Sequence, residues 1–315
     1  LLFPTLSFWT SSVLKEPLMI LGMAFILNAF FGELHWRARC WRMALGLVLM
    51  LLFKPYVLGC LLLSVPVFLL GKFVFRRKVL LAPVLVLVSV TLIFTLFPGV
   101  RKPVTHRLTR MQFDFMNVGR GGMHVYADSC FYYFHSDQFP DLAFAGRNQT
   151  VQPKKEMVAK KVTFGMSYPF QDITLKPGDG PWEVVFIGDT CGSYIELTPI
   201  GNEFGQLVRN IPEALVNAAF RPTFWDPGGK LKLVSFIETI GLFALLGFGL
   251  WYNRGYRAEE EKNILVFLFT FSLILLVLIG WTTPILGAIV RYRMPAYLAL
   301  FLMAFIGSKP FNFKR

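Results

Sequence analysis

Residues 32–78 read GELHWRARCWRMALGLVLMLLFKPYVLGCLLLSVPVFLLGKFVFRRK, and the 29 residues from Met43 to Gly71 carry one charge, Lys54. Basic clusters close this stretch at both ends, RARCWR at 37–42 and KFVFRRK at 72–78. Apolar runs bracketed by arginine and lysine are what a bilayer selects. Its hydrocarbon, about 30 Å thick, takes roughly 20 helical residues, and cations in short loops are retained on the cytoplasmic face.

The rest of the chain repeats the pattern. Hydrophobic residues make up 55% and charged residues 16% of 315 positions, with mean hydropathy +0.53. One soluble core of this length does not bury that much apolar surface, so a bilayer is expected to take the excess. Spans are predicted at Pro17–Phe31, Val79–Phe97, Leu233–Tyr252 and Ile264–Trp281. A fifth, Met294–Gly307, reaches spanning length when Ile285–Val290 are added. Lys54-Pro55 splits Met43–Gly71 into an 11-residue and a 16-residue half, each short for a crossing, which predicts a re-entrant pair.

Orientation follows from the cations. The two clusters, the loop 253–263 and the tail 308–315 hold thirteen Lys or Arg, and all share one face if 43–71 enters and leaves on the same side. The expected fold class is therefore a mainly α membrane protein. It is a multi-pass transmembrane helix bundle with a re-entrant helix pair and a small α+β extracytoplasmic domain. Its parts are an N-terminal transmembrane region 1–97 containing the pair 43–71, the extracytoplasmic domain 98–232, and a C-terminal transmembrane region 233–315. The chain opens at Leu1 with no basic stretch ahead of its first apolar run, so a preceding segment is expected.

The net charge of +13 does not point to nucleic acid. Segment 98–232 has 15 basic and 13 acidic residues, so the excess sits at the membrane flanks, and the partner it predicts is membrane lipid. Within that segment, Arg107–Tyr126 has apolar residues at near-helical spacing and reads as a surface helix. KKVTFGMSY, DITLKPGDGPWEVVFIGD and GSYIELTPIG alternate as strands of a short meander, with KPGDG as a hairpin turn. Phe204–Phe220 reads as a helix ending at Arg221-Pro222. Cys130 and Cys191 are the one possible outer disulfide. A bridge closing about 60 residues would contribute about 4 kcal/mol on the chain-entropy model, and two free thiols are the alternative.

Ionisable groups at membrane depth are costly, which makes them candidates for function. Lys15 and Glu16 begin the first span, Lys54 sits at the break of the pair, Arg291 and Arg293 lie at the outer end of the last span, and Glu238 is inside its helix. Lysines and arginines gathered at one depth suit an anionic headgroup, because the arginine fork matches phosphate oxygens. A half-buried carboxylate there can serve a sugar hydroxyl as general base. Plainer roles stand beside these: a local ion pair at Lys15-Glu16, snorkelling of Arg291 and Arg293, and a helix-to-helix pairing of Glu238. No CxxC or HxxxH spacing and no DxD pair occurs, so neither a metal nor another cofactor is expected.

Four stretches carry a resemblance: PTLSFWTSSVLKEPLMILGM at 4–23, FKPYVLG at 53–59, AAFRPTFWDPGGKLKLVSFIE at 218–238 and TTPILGAIVRYRMPAYL at 282–298. They look like bacterial multi-pass proteins of polysaccharide assembly, akin to O-antigen polymerases and GT-C-type glycosyltransferases. The resemblance covers under a third of the chain. It implies a cell-envelope enzyme of the bacterial inner membrane that polymerises, ligates or transfers glycans from polyprenyl-diphosphate-linked saccharides without a metal. By position it implies Glu16 and Glu238 as catalytic carboxylates, and Lys15, Lys54, Arg221, Arg291 and Arg293 as substrate-binding cations. A transporter or flippase of the same lipid-linked saccharide, and a non-catalytic envelope protein, are the alternatives.

Overall fold

The computed structural model describes residues 15–75, 78–146, 149–163, 171–201, 203–252 and 259–308. The opening motif before Lys15, most of the loop 253–263 and the tail after Ser308 lie outside the described residues. The described chain is mostly helical, with one antiparallel sheet.

The first two helices, α1 (Lys15–Phe31) and α2 (Trp36–Phe53), form a hairpin. They approach so closely that a Cβ on Gly46 would lie 2.7 Å from the carbonyl oxygen of Gly22. Helix α3 (Pro55–Phe73) follows after the single residue Lys54, then α4 (Leu81–Leu96) and α5 (Pro98–Arg120), which meet at a bend of 101°. The break is where Lys54-Pro55 places it, but its flanks differ from expectation. The halves of 11 and 16 residues are helices of 18 and 19, because the basic clusters join the helices instead of ending them: RARCWR supplies the first turns of α2 and Lys72 the last turn of α3. Arginine, alanine and lysine are good helix formers, so a charged flank need not be a loop.

After the sheet come α6 (Phe204–Arg209), α7 (Ile211–Phe220), α8 (Leu231–Tyr252), α9 (Glu259–Thr282), α10 (Leu286–Tyr292) and α11 (Met294–Ser308). The single helix expected over Phe204–Phe220 is two, parted at Asn210 ahead of Pro212. Helix α9 is the hub, with α3, α5, α7 and α11 packed on it. An aromatic cluster of Phe30, Phe31, Phe68 and Phe267 ties α1, α3 and α9 together. Helices α3, α8 and α9 are long and apolar enough to cross a membrane, and the bent pairs α4–α5 and α10–α11 bring the total to five if each is one span. Leu85, Leu87, Val88, Leu92 and Ile93 on α4 and Ile237, Ile240 and Phe248 on α8 are exposed. Apolar faces of this extent suit lipid contact and are unusual on a soluble monomer.

The sheet has seven strands: β1 (Gly122–Ala127), β2 (Cys130–His135), β3 (Leu142–Ala145), β4 (Thr150–Pro153), β5 (Met157–Thr163), β6 (Gln171–Leu175) and β7 (Trp182–Gly188). Their order is β3-β4-β7-β1-β2-β5-β6, all antiparallel, so it is not the expected meander. KPGDG does not close a hairpin either, since β6 pairs with β5 while β7 inserts between β4 and β1. The tight hairpin is β1–β2. Its two-residue loop Asp128-Ser129 has φ of 51° and 60°, the pair of left-handed residues that a type I′ turn requires. The expected helix over Arg107–Tyr126 stops at Arg120, because Gly121 takes φ +72° and turns the chain into β1.

GSYIELTPIG is not a strand of this sheet. It runs as an extended strap stitched to its neighbours: Ile195 N–H donates to Pro284 O (2.8 Å), Leu286 N–H to Ser193 O (3.0 Å), and Ile200 N–H to Gln112 Oε1 (2.7 Å). Period-two alternation came from one side of the strap being buried. Cys130 and Cys191 are not joined by a disulfide, and Cys191 Sγ lies 3.4 Å from Ser193 Oγ.

Candidate functional site

Lys54 is placed by its backbone. The residue before a proline is barred from the helical region, and Lys54 has φ −149° and ψ 69°. Pro55 at the start of α3 has no N–H to satisfy. Lys54 serves both helices, its N–H donating to Met50 O (2.9 Å) and its carbonyl accepting from Val57 N–H (3.1 Å). The side chain then reaches α1, with Nζ 3.3 Å from Glu16 Oε1.

Glu16 is the meeting point. Its side chain is 1% exposed, and Arg291 holds it with a two-pronged grip, Nε–H donating to Oε1 (2.6 Å) and Nη2–H to Oε2 (3.1 Å). Two aromatic rings wall the cations. Lys54 Nζ lies 4.5 Å from the centre of the Tyr292 ring and 5.6 Å from that of Tyr56, distances at which the ring face attracts a cation. Lys15 is exposed on the same turn as Glu16, and its charge acts on Lys54. Two cations, Lys54 and Arg291, thus share one carboxylate, with the exposed Lys15 nearby.

Arg293 faces another way. It is the residue between α10 and α11, which bend by 50° there, and its near-helical backbone (φ −76°, ψ −8°) turns its side chain about 200° from that of Arg291. While Arg291 reaches α1, Arg293 is fully buried between α7 and α8. It donates to Ala218 O (3.1 Å), Arg221 O, Ser235 Oγ (2.9 Å) and Thr239 Oγ1 (3.0 Å), and it lies 4.3 Å from the Tyr297 ring. Glu238 is buried on α8 and its charge acts on Arg293 and Tyr297. Arg221 pairs with Asp226 (3.6 Å), whose other oxygen accepts from Thr223 N–H (2.5 Å) and Thr223 O–H (2.8 Å).

The seven candidates thus fall into two groups. Lys15, Glu16, Lys54 and Arg291 come together at the break; Arg221, Glu238 and Arg293 surround the α7–α8 junction. In the second group Arg293 bonds backbone carbonyls and hydroxyls, which braces three helices. Tyr56 and Tyr292 were missed. Each adjoins a chosen cation or its proline, but in a chain with 33 Phe and 10 Tyr an aromatic neighbour carries little signal.

Chemically, the first group is a buried carboxylate held by two cations. Glu16 has both oxygens engaged, so as it stands it organises the cations and is a poor base. Among the described residues no group of three or more His, Cys, Asp or Glu is placed to hold a metal. Comparison of the chain with protein-family models, curated proteins and solved structures returns no match.

Proposed function

We propose that this chain is a membrane-embedded glycan polymerase, ligase or glycosyltransferase that acts on polyprenyl-diphosphate-linked sugars at the outer leaflet of a bacterial inner membrane. The observation that carries the reading is the sharing of one buried carboxylate, Glu16, by Lys54 and Arg291 at a helix break. A break of this kind is tolerated at membrane depth where it lines a polar site.

Ligand exchange drives the chemistry in this reading. A diphosphate enters with two negative groups and takes over Lys54 and the Arg291 fork, which then stabilise it as leaving group. Glu16, released from its cations, is free to accept the proton of the attacking sugar hydroxyl. The new bond forms between that oxygen and the anomeric carbon as the bond from carbon to the diphosphate oxygen breaks, and the proton ends on the carboxylate. Glu238 is the second carboxylate available for that role, and Arg221 and Arg293 fix the helix junction beside it.

The test uses the full chain in nanodiscs with a radiolabelled polyprenyl-diphosphate oligosaccharide. Wild-type protein is expected to form new glycosidic bonds, and Lys54→Ala and Arg291→Ala to lose at least a hundredfold in rate. Movement of label across the bilayer without new bonds would instead identify a flippase. Unchanged product length with both variants correctly inserted would end the proposal.

A further inference from the structure

Helix α5 turns away from α4 by 101° at Phe97-Pro98. Helix α4 is apolar and exposed along most of its length, and Leu96 and Phe97 at the corner are 68% and 58% exposed. A bilayer that surrounds α4 therefore meets α5 side-on. The first thirteen residues of α5, 98–110, carry Arg101, Lys102, Arg107 and Arg110 and no carboxylate. Asp114 is the one acid of the helix, 3.6 Å from Arg110 Nε.

At about 100° per residue, α5 divides into three arcs. Thr105, Thr109, Gln112 and Met116 share the arc that is fastened to the strap, with Thr109 O–H donating to Gly201 O (3.2 Å) and Gln112 Nε2–H to Thr198 O (3.0 Å). Val100, Val104 and Val118 fall within about 40° of one another on a second arc, and all three are exposed. Lys102, Arg110 and Arg107 fill the arc between, Lys102 and Arg107 exposed and Arg110 partly so. Exposed apolar residues flanked by exposed cations on one helix are the pattern of a helix that lies in the headgroup layer.

We infer that this edge of α5 holds the headgroups of anionic phospholipids, with the valines against the upper part of the acyl chains and Lys102, Arg107 and Arg110 on the phosphates. The charges are complementary, and the arginine forks match phosphate oxygens. A zwitterionic headgroup has no net charge to offset these cations. An acidic protein face would meet them too, but it would leave Leu96 and Phe97, which continue the apolar surface of α4, against water. The inference stands independently of the glycan reading and of the cluster around Glu16.

The experiment is hydrogen exchange of the full chain in nanodiscs of dioleoyl phosphatidylcholine alone and of an equal mixture with dioleoyl phosphatidylglycerol. Amides of 99–110 are expected to exchange at least about tenfold more slowly in the mixture, an effect of the size that two cations near an anionic surface carry. Amides of α9 should exchange alike in both discs. Lys102→Gln with Arg107→Gln is expected to abolish the difference, since glutamine keeps the helix propensity and removes the charge; unchanged exchange of α9 shows that this variant is folded. Lys154→Gln with Lys155→Gln, the same loss of charge on the sheet, is expected to preserve the difference. Equal rates for α5 of the wild-type protein in the two discs, a difference that survives in the α5 variant, or one that is lost in the sheet variant would each overturn the inference. Slowing that appears only with two chains in a disc would overturn it as well, and would assign the edge to a second copy.

Discussion

Arg291 and Glu16 are 275 residues apart in sequence, yet the arginine donates to both carboxylate oxygens at 2.6 and 3.1 Å. This contact joins the N-terminal hairpin to the short helix before the last one. Lys54 completes it from the intervening break at 3.3 Å.

Glu16→Gln is expected to destabilise the protein by about 3 kcal/mol, because Lys54, with 11% of its side chain exposed, loses its counter-ion in a desolvated place. Arg291 is 28% exposed and suffers less, since water screens it. Adding Lys54→Met should recover most of the loss. Thermal unfolding of the three proteins in one detergent checks this, and a double variant no more stable than the single one would show that the pair is not the cause.

Arg293→Lys is expected to cost more than a charge-conserving change ordinarily does. Lysine has three donors on a point charge and lacks the planar fork that spans Ala218 O, Ser235 Oγ and Thr239 Oγ1. With three donors for four acceptors, at least one acceptor then loses its buried partner, for a loss of about 1 to 3 kcal/mol. Hydrogen exchange should show amides of α7 and the first turns of α8 opening, with those of α1 unchanged. Uniform loosening of the whole bundle would contradict the brace.

The spans expected at Leu233–Tyr252 and Ile264–Trp281 were legible because hydropathy over a window of spanning length is a property of local sequence, and so was the break at Lys54, since proline acts on its own neighbours. Helix α3, expected to be too short to cross, is long enough alone, whereas α4 reaches spanning length only with α5 and α1 is not among the candidate spans. The sheet order was not. Gly122–Ala127 and Cys130–His135 carry the hairpin, but His, Ser and Cys at these positions blur the alternation, and the register that seats β7 beside β1 depends on contacts 60 residues apart. Glu16, Lys54 and Arg291 were singled out by the cost of burying charge, whereas their mutual contact is a matter of how helices cross. Arg291 and Arg293 looked alike in sequence and part company through helical geometry.

The sheet should weaken in acid. Burial holds His124 and His135 below the usual histidine range, with Arg120 pushing His135 further down and Asp137 opposing. The folded sheet keeps both rings neutral while the unfolded chain takes up protons near pH 6.5. Stability is therefore complete above that value and declines as pH falls through it toward the folded values. Exchange protection of β1 and β2, corrected for intrinsic rates, should drop between pH 7.5 and 5.5, and replacing both histidines by phenylalanine should flatten the dependence. Equal protection at both pH values in the wild-type protein would refute it.

The spacing of the first hairpin sets the reach of Glu16. Gly22 and Gly46 touch where α1 and α2 cross, six residues after Glu16 and eight before Lys54, so the antiparallel hairpin carries the two charged residues to the same end. A methyl group on Gly46 would meet Gly22 O and Ile26 Cγ1, both at 2.7 Å, and one of these contacts is backbone that cannot rotate away. Gly46→Ala is thus expected to push the helices apart, cost about 1 to 3 kcal/mol, and lengthen the Glu16–Lys54 contact. Gly59→Ala is the control, because nothing lies within 4 Å of its added Cβ and alanine suits a helix better than glycine. A double-mutant cycle of Gly46→Ala with Lys54→Met measures the link: the two losses should fall short of additive, since a separated hairpin has already weakened the pair that Lys54→Met removes. Strict additivity would mean that the crossing and the charge cluster are independent.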